Sequence, residues 1–442
     1  MRYARARWQR ACVGVVAAGT LVVPLSAGTA FGATAPAAAV SASVSAAPTP
    51  PPDPSDAQFA ELTPAVVAKL DAAVQRVMRE ANVPGVIVGL SAPGKGAYIR
   101  SFGVADKSDG TPMNPGLYMR IGSETKTFTV TAMLELVDQG KLGLDDTIDE
   151  YVDGVPNGDE ITLRQLAGMR SGLFNYSADD GFYKRFTENP DAPFTPQELL
   201  DYSFKHPVNF EPGAQFEYCN TNLILLGLVV EKVGGMPLQD FLAENVFEPA
   251  GLRHTIFPTD ATFPNPHAQG YTEQTASGNV EDSADWNPSW GWAAGAVISD
   301  LRDLRTWAKV VATGTLLSPQ TQAQRLITPS TGIPGTGYGL GIFNVQGWIG
   351  HNGSLPGYES LTIYLPEADA TLVVLLNTDI LADGIEPSTL FGQAITEIVS
   401  PDHVFNLPQP VAPPKSSPSP STSPSPPPPS PEPTPTSPGY GY

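Results

Sequence analysis

Apolar residues recur at three- and four-residue steps through Val67, Leu70, Val74, Val77, Met78 and Ala81, the spacing of one buried helix face. Thr63-Pro64 supplies an N-cap and a first-turn proline, and Asn82-Val83-Pro84-Gly85 ends the run. Two strand-like stretches follow, residues 86–91 and 97–104, joined by the turn Pro93-Gly94-Lys95-Gly96. The same signal returns late, at residues 359–365 and 371–377, ahead of a final helix over residues 387–399. Between them the pattern is mainly helical, clearest at residues 127–139, 222–233 and 301–312. Strands at both ends with helices between predict an α+β fold. Its antiparallel sheet is assembled from both ends of the chain, flanked by terminal helices, with an all-helical region inserted. The catalytic unit spans residues 58–404, its α/β part being residues 58–120 and 290–404 and its helical part residues 121–289. The junction of the two parts is a natural place for a cleft.

The chain ends change this picture. Arg2, Arg5, Arg7 and Arg10 precede an apolar stretch over residues 11–25, followed by Ala27, Ala30, Ala33 and Ala35. That is the pattern of a secretory signal peptide, here residues 1–33, and the apolar run is too short for a membrane span. Residues 34–57 read as an Ala/Pro-rich linker and residues 405–442 as a Pro/Ser-rich disordered tail, because neither composition can bury a core. A secreted, extracellular protein is expected, with wall contact as a second role for the tail. Removing residues 1–33 takes away four arginines and no acid, which moves the net charge from −20 to −24. So acidic a surface argues against nucleic acid and anionic lipid as partners. Cys12 leaves with the signal peptide, so Cys219 has no partner for an internal disulfide.

Three stretches carry residues with chemistry. In Gly122-Ser123-Glu124-Thr125-Lys126, an extended entry meets a helix, and Lys126 shares a helix face with Ser123. A serine hydroxyl needs a base within hydrogen-bond reach, and a lysine serves if its ammonium is made acidic by its surroundings. The helix start also offers backbone N–H groups to an oxyanion. The plain alternative makes Ser123 an N-cap and Lys126 a solvated cation. In Tyr218-Cys219-Asn220, Tyr218 is a candidate proton carrier and Asn220 a candidate amide for a substrate carbonyl, or a cap for the next helix. Cys219 reads as a buried thiol rather than a nucleophile. In Gly350-His351-Asn352-Gly353-Ser354, the glycines suggest a loop against which a substrate lies closely. There His351 offers positive charge or a proton, and the Ser354 N–H completes an oxyanion hole. No His or Cys spacing suggests a metal.

The order and spacing of these stretches, with Tyr218-Cys219-Asn220 95 residues after Ser123 and His351-Asn352-Gly353 before a late strand, resemble the penicillin-recognising serine hydrolases. Arg170-Ser171-Gly172-Leu173, His267-Ala268-Gln269-Gly270-Tyr271, Trp290 and residues 294–299, and Gly337-Tyr338-Gly339-Leu340-Gly341 extend the likeness over nearly all of residues 60–400. It is similar above all to secreted DD-carboxypeptidases and class C β-lactamase-like proteins. The resemblance implies a five-stranded antiparallel sheet beside a helical region, and an acyl-enzyme on Ser123. It gives Lys126 and Tyr218 the proton work, and places Asn220, Trp290, His351, Asn352, Gly353 and Ser354 around the substrate. It implies no cofactor, a peptide or small acyl substrate, reaction with β-lactams and a monomer. A D-alanyl-D-alanine carboxypeptidase is the leading expectation, with an esterase, amidase or β-lactamase on the same scaffold as the alternative. The sequence departs from the pattern at Asn352, where Thr or Ser is usual, and in residues 341–348, which lack the arginine that grips a terminal carboxylate in those carboxypeptidases. Preference for a free-acid substrate is therefore expected to be weak near neutral pH and to grow toward about pH 6 as His351 protonates.

Overall fold

The computed structural model describes residues 59–407. The expected signal peptide and linker, and nearly all of the expected Pro/Ser tail, lie outside the described residues. Helix α1 (Pro64–Glu80) begins where Thr63 Oγ1 accepts the Val66 N–H, and its stripe Leu70, Ala73, Val74 and Val77 is buried. Strands β1 (Gly85–Ala92) and β2 (Gly96–Gly103) form the expected hairpin. Helix α2 (Thr125–Asp138) carries Lys126, and helix α3 (Asn220–Gly234) begins at Asn220. Helix α4 (Leu301–Thr313) is capped by Asp300, whose carboxylate accepts the Asp303 N–H.

Five strands close the chain's second half: β3 (Thr336–Tyr338), β4 (Phe343–Val345), β5 (Trp348–Leu355), β6 (Tyr358–Leu365) and β7 (Ala370–Leu376). Helix α5 (Pro387–Val399) follows and packs against α1 and the sheet. The sheet has seven strands in the order β2-β1-β7-β6-β5-β4-β3, antiparallel throughout, with Val86 facing Leu376. The five long strands match the count expected, and the short β3 and β4 extend that sheet. Sequence periodicity was blind to them because three residues carry no usable alternation. Helix α4 lies against the sheet, close enough that a Cβ on Gly89 would stand 2.6 Å from Leu301 Cδ1.

One expectation is corrected. His351, Asn352, Gly353 and Ser354 lie inside strand β5, paired with β6, and not in a glycine loop ahead of the strand. Beyond Gly350, β5 loses β4 as a neighbour and packs instead against the turn Gly122–Glu124.

Candidate active site

Helix α2 is apolar or threonine-lined on every side and nearly all of it is buried. Threonine is a poor helix former, and here its hydroxyls do specific jobs. Thr125 Oγ1 accepts the Val297 N–H, Thr127 Oγ1 donates to Glu124 O, and Thr129 Oγ1 donates to Ala293 O. The helix is thereby fastened to residues 293–297, which form one wall of a cleft.

Ser123 stands in a single 3₁₀ turn, Gly122–Glu124, just ahead of α2. Lys126 is fully buried, and its Nζ lies 2.9 Å from Ser123 Oγ and 2.8 Å from Ala294 O. In the ammonium form Nζ donates to both oxygens. A neutral amine keeps the bond to Ala294 O and presents its lone pair to the Ser123 hydroxyl, which is the geometry general-base activation needs. The Tyr218 ring centroid is 4.8 Å from the same Nζ, so the three expected proton-handling residues converge.

The strand side is built by close approach. Gly122 has φ +53°, and a Cβ there would stand 2.9 Å from Ser354 N. A Cβ on Gly353 would run into Ile121 O, the carbonyl that also accepts from Ser360 Oγ at 2.9 Å. Both glycines are required if β5 is to reach the turn that bears Ser123. This brings the Ser354 backbone beside that turn, where its N–H can act with that of Ser123. Gly122, Ser123, Tyr176, Tyr218, Asn220, Trp290, Gly295 and Ser354 line a cleft of about 330 Å³. Asn220 Nδ2 donates to Ser177 Oγ at 3.3 Å, and Trp290 O accepts from Tyr176 Oη at 2.6 Å. Tyr176 escaped the sequence reading, since no local pattern marks it. Ser354 Oγ is buried without a hydrogen-bond partner among the described residues.

His351 and Asn352 stand apart from the cleft lining, and His351 does not play the expected part. It is buried, and burial, with the neighbouring Lys126, pushes it down to about 3. The Asn352 carbonyl can only accept, so Nδ1 carries the proton, and Nε2 accepts from Tyr338 Oη at 3.2 Å. His351 is therefore neutral at pH 6, and it supplies no positive charge to a substrate. The expected growth of free-acid preference toward that pH has lost its cause. Asn352 turns its amide to Glu386, donating from Nδ2 at 2.8 Å. Glu386 is pushed up to about 7 by burial, and burial and Glu386 together hold Glu359 well above the usual carboxylate range. Glu386 and Glu359, the acids beyond Asn352, supply no cation of their own. Cys219 is buried beside Leu173 O, and burial pushes its thiol up to about 12, so a thiolate is out of reach. Among the described residues no group of three His, Cys, Asp or Glu side chains is placed to hold a metal ion.

Glu124, next to the serine, is fully buried and pushed up to about 8 by desolvation, so it is mostly protonated at pH 7. An acid whose folded pKa is raised binds more protons folded than unfolded. Its contribution is therefore greatest below its ordinary value of 4.5 and is lost as pH rises to about 8. Glu124→Gln should lose that dependence. Its urea midpoint relative to the parent should improve between pH 5 and pH 8 by roughly 2–4 kcal/mol of unfolding free energy. An unchanged difference between the two proteins at both pH values would show that Glu124 ionises freely.

The chain is similar to known proteins over most of its described length. Residues 70–388 match the family described as Beta-lactamase. A D-stereospecific amidohydrolase from Streptomyces sp. is 30% identical, with a TM-score of 0.66 over 75% of this chain and 97% of that one. D-amino acid amidase from Ochrobactrum anthropi SV3 is 29% identical, with a TM-score of 0.67 over 76% of this chain and 97% of that one. A penicillin binding protein from Bacillus halodurans is 25% identical, with a TM-score of 0.62 over 70% of this chain and 97% of that one. Among curated sequences, D-aminopeptidase of Brucella anthropi is 27% identical over 314 residues, 70% of this chain and 59% of that protein. The first curated relatives are matched over 66% and 59% of their own length, so the chain spans less than two thirds of each. With the family match covering most of the chain, the protein belongs to the β-lactamase family of penicillin-recognising serine hydrolases.

Proposed function

We propose that the chain is an exported amide hydrolase in which Ser123 attacks the carbonyl of a D-configured acyl group and water then resolves the acyl-enzyme. Lys126 accepts the serine proton, Tyr218 passes a proton to the leaving amine, and the Ser123 and Ser354 N–H groups hold the oxyanion. Asn220 and Trp290 border the acyl group. The observation that carries this reading is the Ser123–Lys126 contact of 2.9 Å in a cleft whose strand side offers no cation. His351 is neutral, Asn352 is bound to Glu386, and residues 341–348 contain no lysine or arginine. A leaving group with a carboxylate thus has no charged clamp there. The D-stereospecific amidohydrolase and the D-amino acid amidase, each covered over 97% of its length, support the D-configured amide. A D-alanyl-D-alanine carboxypeptidase that also reacts with β-lactams is the second reading, favoured by the penicillin binding protein of Bacillus halodurans.

The test is kcat/KM for D-alanyl-D-alanine peptides as free acid and as amide, with D- and L-amino acid amides, from pH 6 to pH 8. Acid and amide should be within about tenfold of each other at every pH, because a lost charge-assisted hydrogen bond is worth roughly 1.5–3 kcal/mol. D-amides should turn over and L-amides should not. A strong preference for the free acid would establish the carboxypeptidase instead.

A further inference from the structure

We propose that Arg120 is the anion-binding residue of a subsite continuous with the Ser123 cleft, and that the subsite receives substrates whose acyl part carries a carboxylate of its own. The inference rests on Ser123 being the nucleophile, and adds a substrate class to that reading.

Arg120 belongs to the two-residue strand Met119–Arg120, which pairs with Ile298–Ser299 and leads directly into the turn that bears Ser123. Only 2% of the residue is exposed. Its Nη2 donates to Ala284 O at 3.0 Å and Trp286 O at 3.2 Å, with Ala261 O at 3.5 Å. Its Nε and Nη1 bond nothing among the described residues, and no carboxylate there lies within ion-pairing distance. The Phe263 ring stands 4.7 Å from Cζ. Burial lowers its pKa while Tyr358 and Asp285 raise it through space, and a guanidinium so placed still holds its charge. A buried cation with no carboxylate in contact is costly, and unpaired buried donors are rare enough to call for a partner.

The surroundings say where that partner enters. Arg120 lines a narrow recess with Ser283, Trp286 and Asn287, and the recess shares Trp290, Gly295 and Leu355 with the cleft around Ser123. The other fully buried arginine, Arg325, differs on this point. It uses both Nη atoms, donating to Thr131 Oγ1 and Thr127 O, and braces α2. Arg120 keeps Nη1 uncommitted, buried behind the lining of the recess. A substrate acylating Ser123 and extending past Trp290 would bring a carboxylate to that guanidinium. Asn287, whose Oδ1 accepts the Ser289 N–H, keeps its amide nitrogen for a second hydrogen bond to the same group.

The experiment compares isosteric pairs that differ in one carboxylate: D-glutamyl and D-glutaminyl p-nitroanilides, and N-succinyl- and N-succinamoyl-D-alanyl p-nitroanilides. At least one acid should exceed its neutral partner tenfold or more in kcat/KM. The gain should lie mainly in KM and shrink as salt rises. Arg120→Lys should keep part of that ratio and Arg120→Met should erase it, while the neutral partner is still cleaved. Ratios near one in the parent protein would overturn the subsite, whatever the variants do. Turnover of none of the four, with no fluorophosphonate adduct on the protein, would instead remove the nucleophile reading and the subsite with it. Should an adduct form without turnover, D-glutamate slowing its formation more than D-glutamine supports the subsite, and equal effects overturn it.

Discussion

Ser123→Ala leaves no covalent adduct when the protein is treated with a chromogenic β-lactam or a fluorophosphonate, and intact mass stays at that of the unmodified chain. The parent protein gains one equivalent. The expected loss in kcat/KM is on the order of 10⁴ or more, because removing a nucleophile removes the covalent route rather than one contact within it. Stability should hardly change. Ser123 is only half-buried and its side chain bonds to Lys126, so its loss costs about 1 kcal/mol or less. That separation of labelling from folding makes the result readable. An adduct persisting at full rate would sink the assignment. One that moved to Cys219 would mean that the thiol, buried and raised to about 12 in the folded state, becomes reachable during reaction.

Removing the base should have the second-largest effect. Lys126→Ala should slow single-turnover acylation by roughly 10²–10⁴, the usual range for a positioned general base, and leave the substrate dissociation constant nearly unchanged. Lys126→Arg should fail as well, although it keeps the positive charge, because a guanidinium does not give up its proton near neutrality. The pair of variants separates proton transfer from mere electrostatics. Rapid-quench measurement of the acyl-enzyme decides the point, and an unchanged acylation rate in either variant would eliminate the lysine as base. The alanine variant should also unfold more easily, by roughly 1–3 kcal/mol, since Ala294 O loses its partner and a buried chain is cut away.

The long elements were readable because each is either a periodic stripe or an unbroken buried run. The stripe of α1 repeats at the helical step, whereas β1, β6 and β7 are buried on both faces and show as short runs rich in apolar residues, bounded by turns. Strand β5 was hidden by the same residues that make the site. Gly353 is there because Ile121 O leaves no room for a side chain, and that glycine makes a strand look like a loop. The convergence of Ser123, Lys126 and Tyr218 was foreshadowed by spacing, whereas the ionisation of His351 was not. A histidine in a glycine-rich stretch gives no sign of being enclosed by Tyr338, Phe343 and Tyr218. Nor does Arg120 announce its burial, which depends on the loop that brings Ala284 and Trp286 to it from far along the chain.

Strand β7 lies inside the sheet, between β1 and β6, although it is the last strand made. Val86 must wait for Leu376 before it has a neighbour on that side. The entropy of closing so long a loop rises only with the logarithm of its length, so the final stability suffers little, but the wait is long in time. During synthesis, α2 can bring Lys126 beside Ser123 well before β5 exists to face them. A chain halted before residue 370 would hold the β1–β2 hairpin and the β3–β6 meander as two separate pieces, each with an open edge that seeks another strand. The strand that joins the two pieces is thus the last one made, and an interrupted chain is expected to aggregate through those edges.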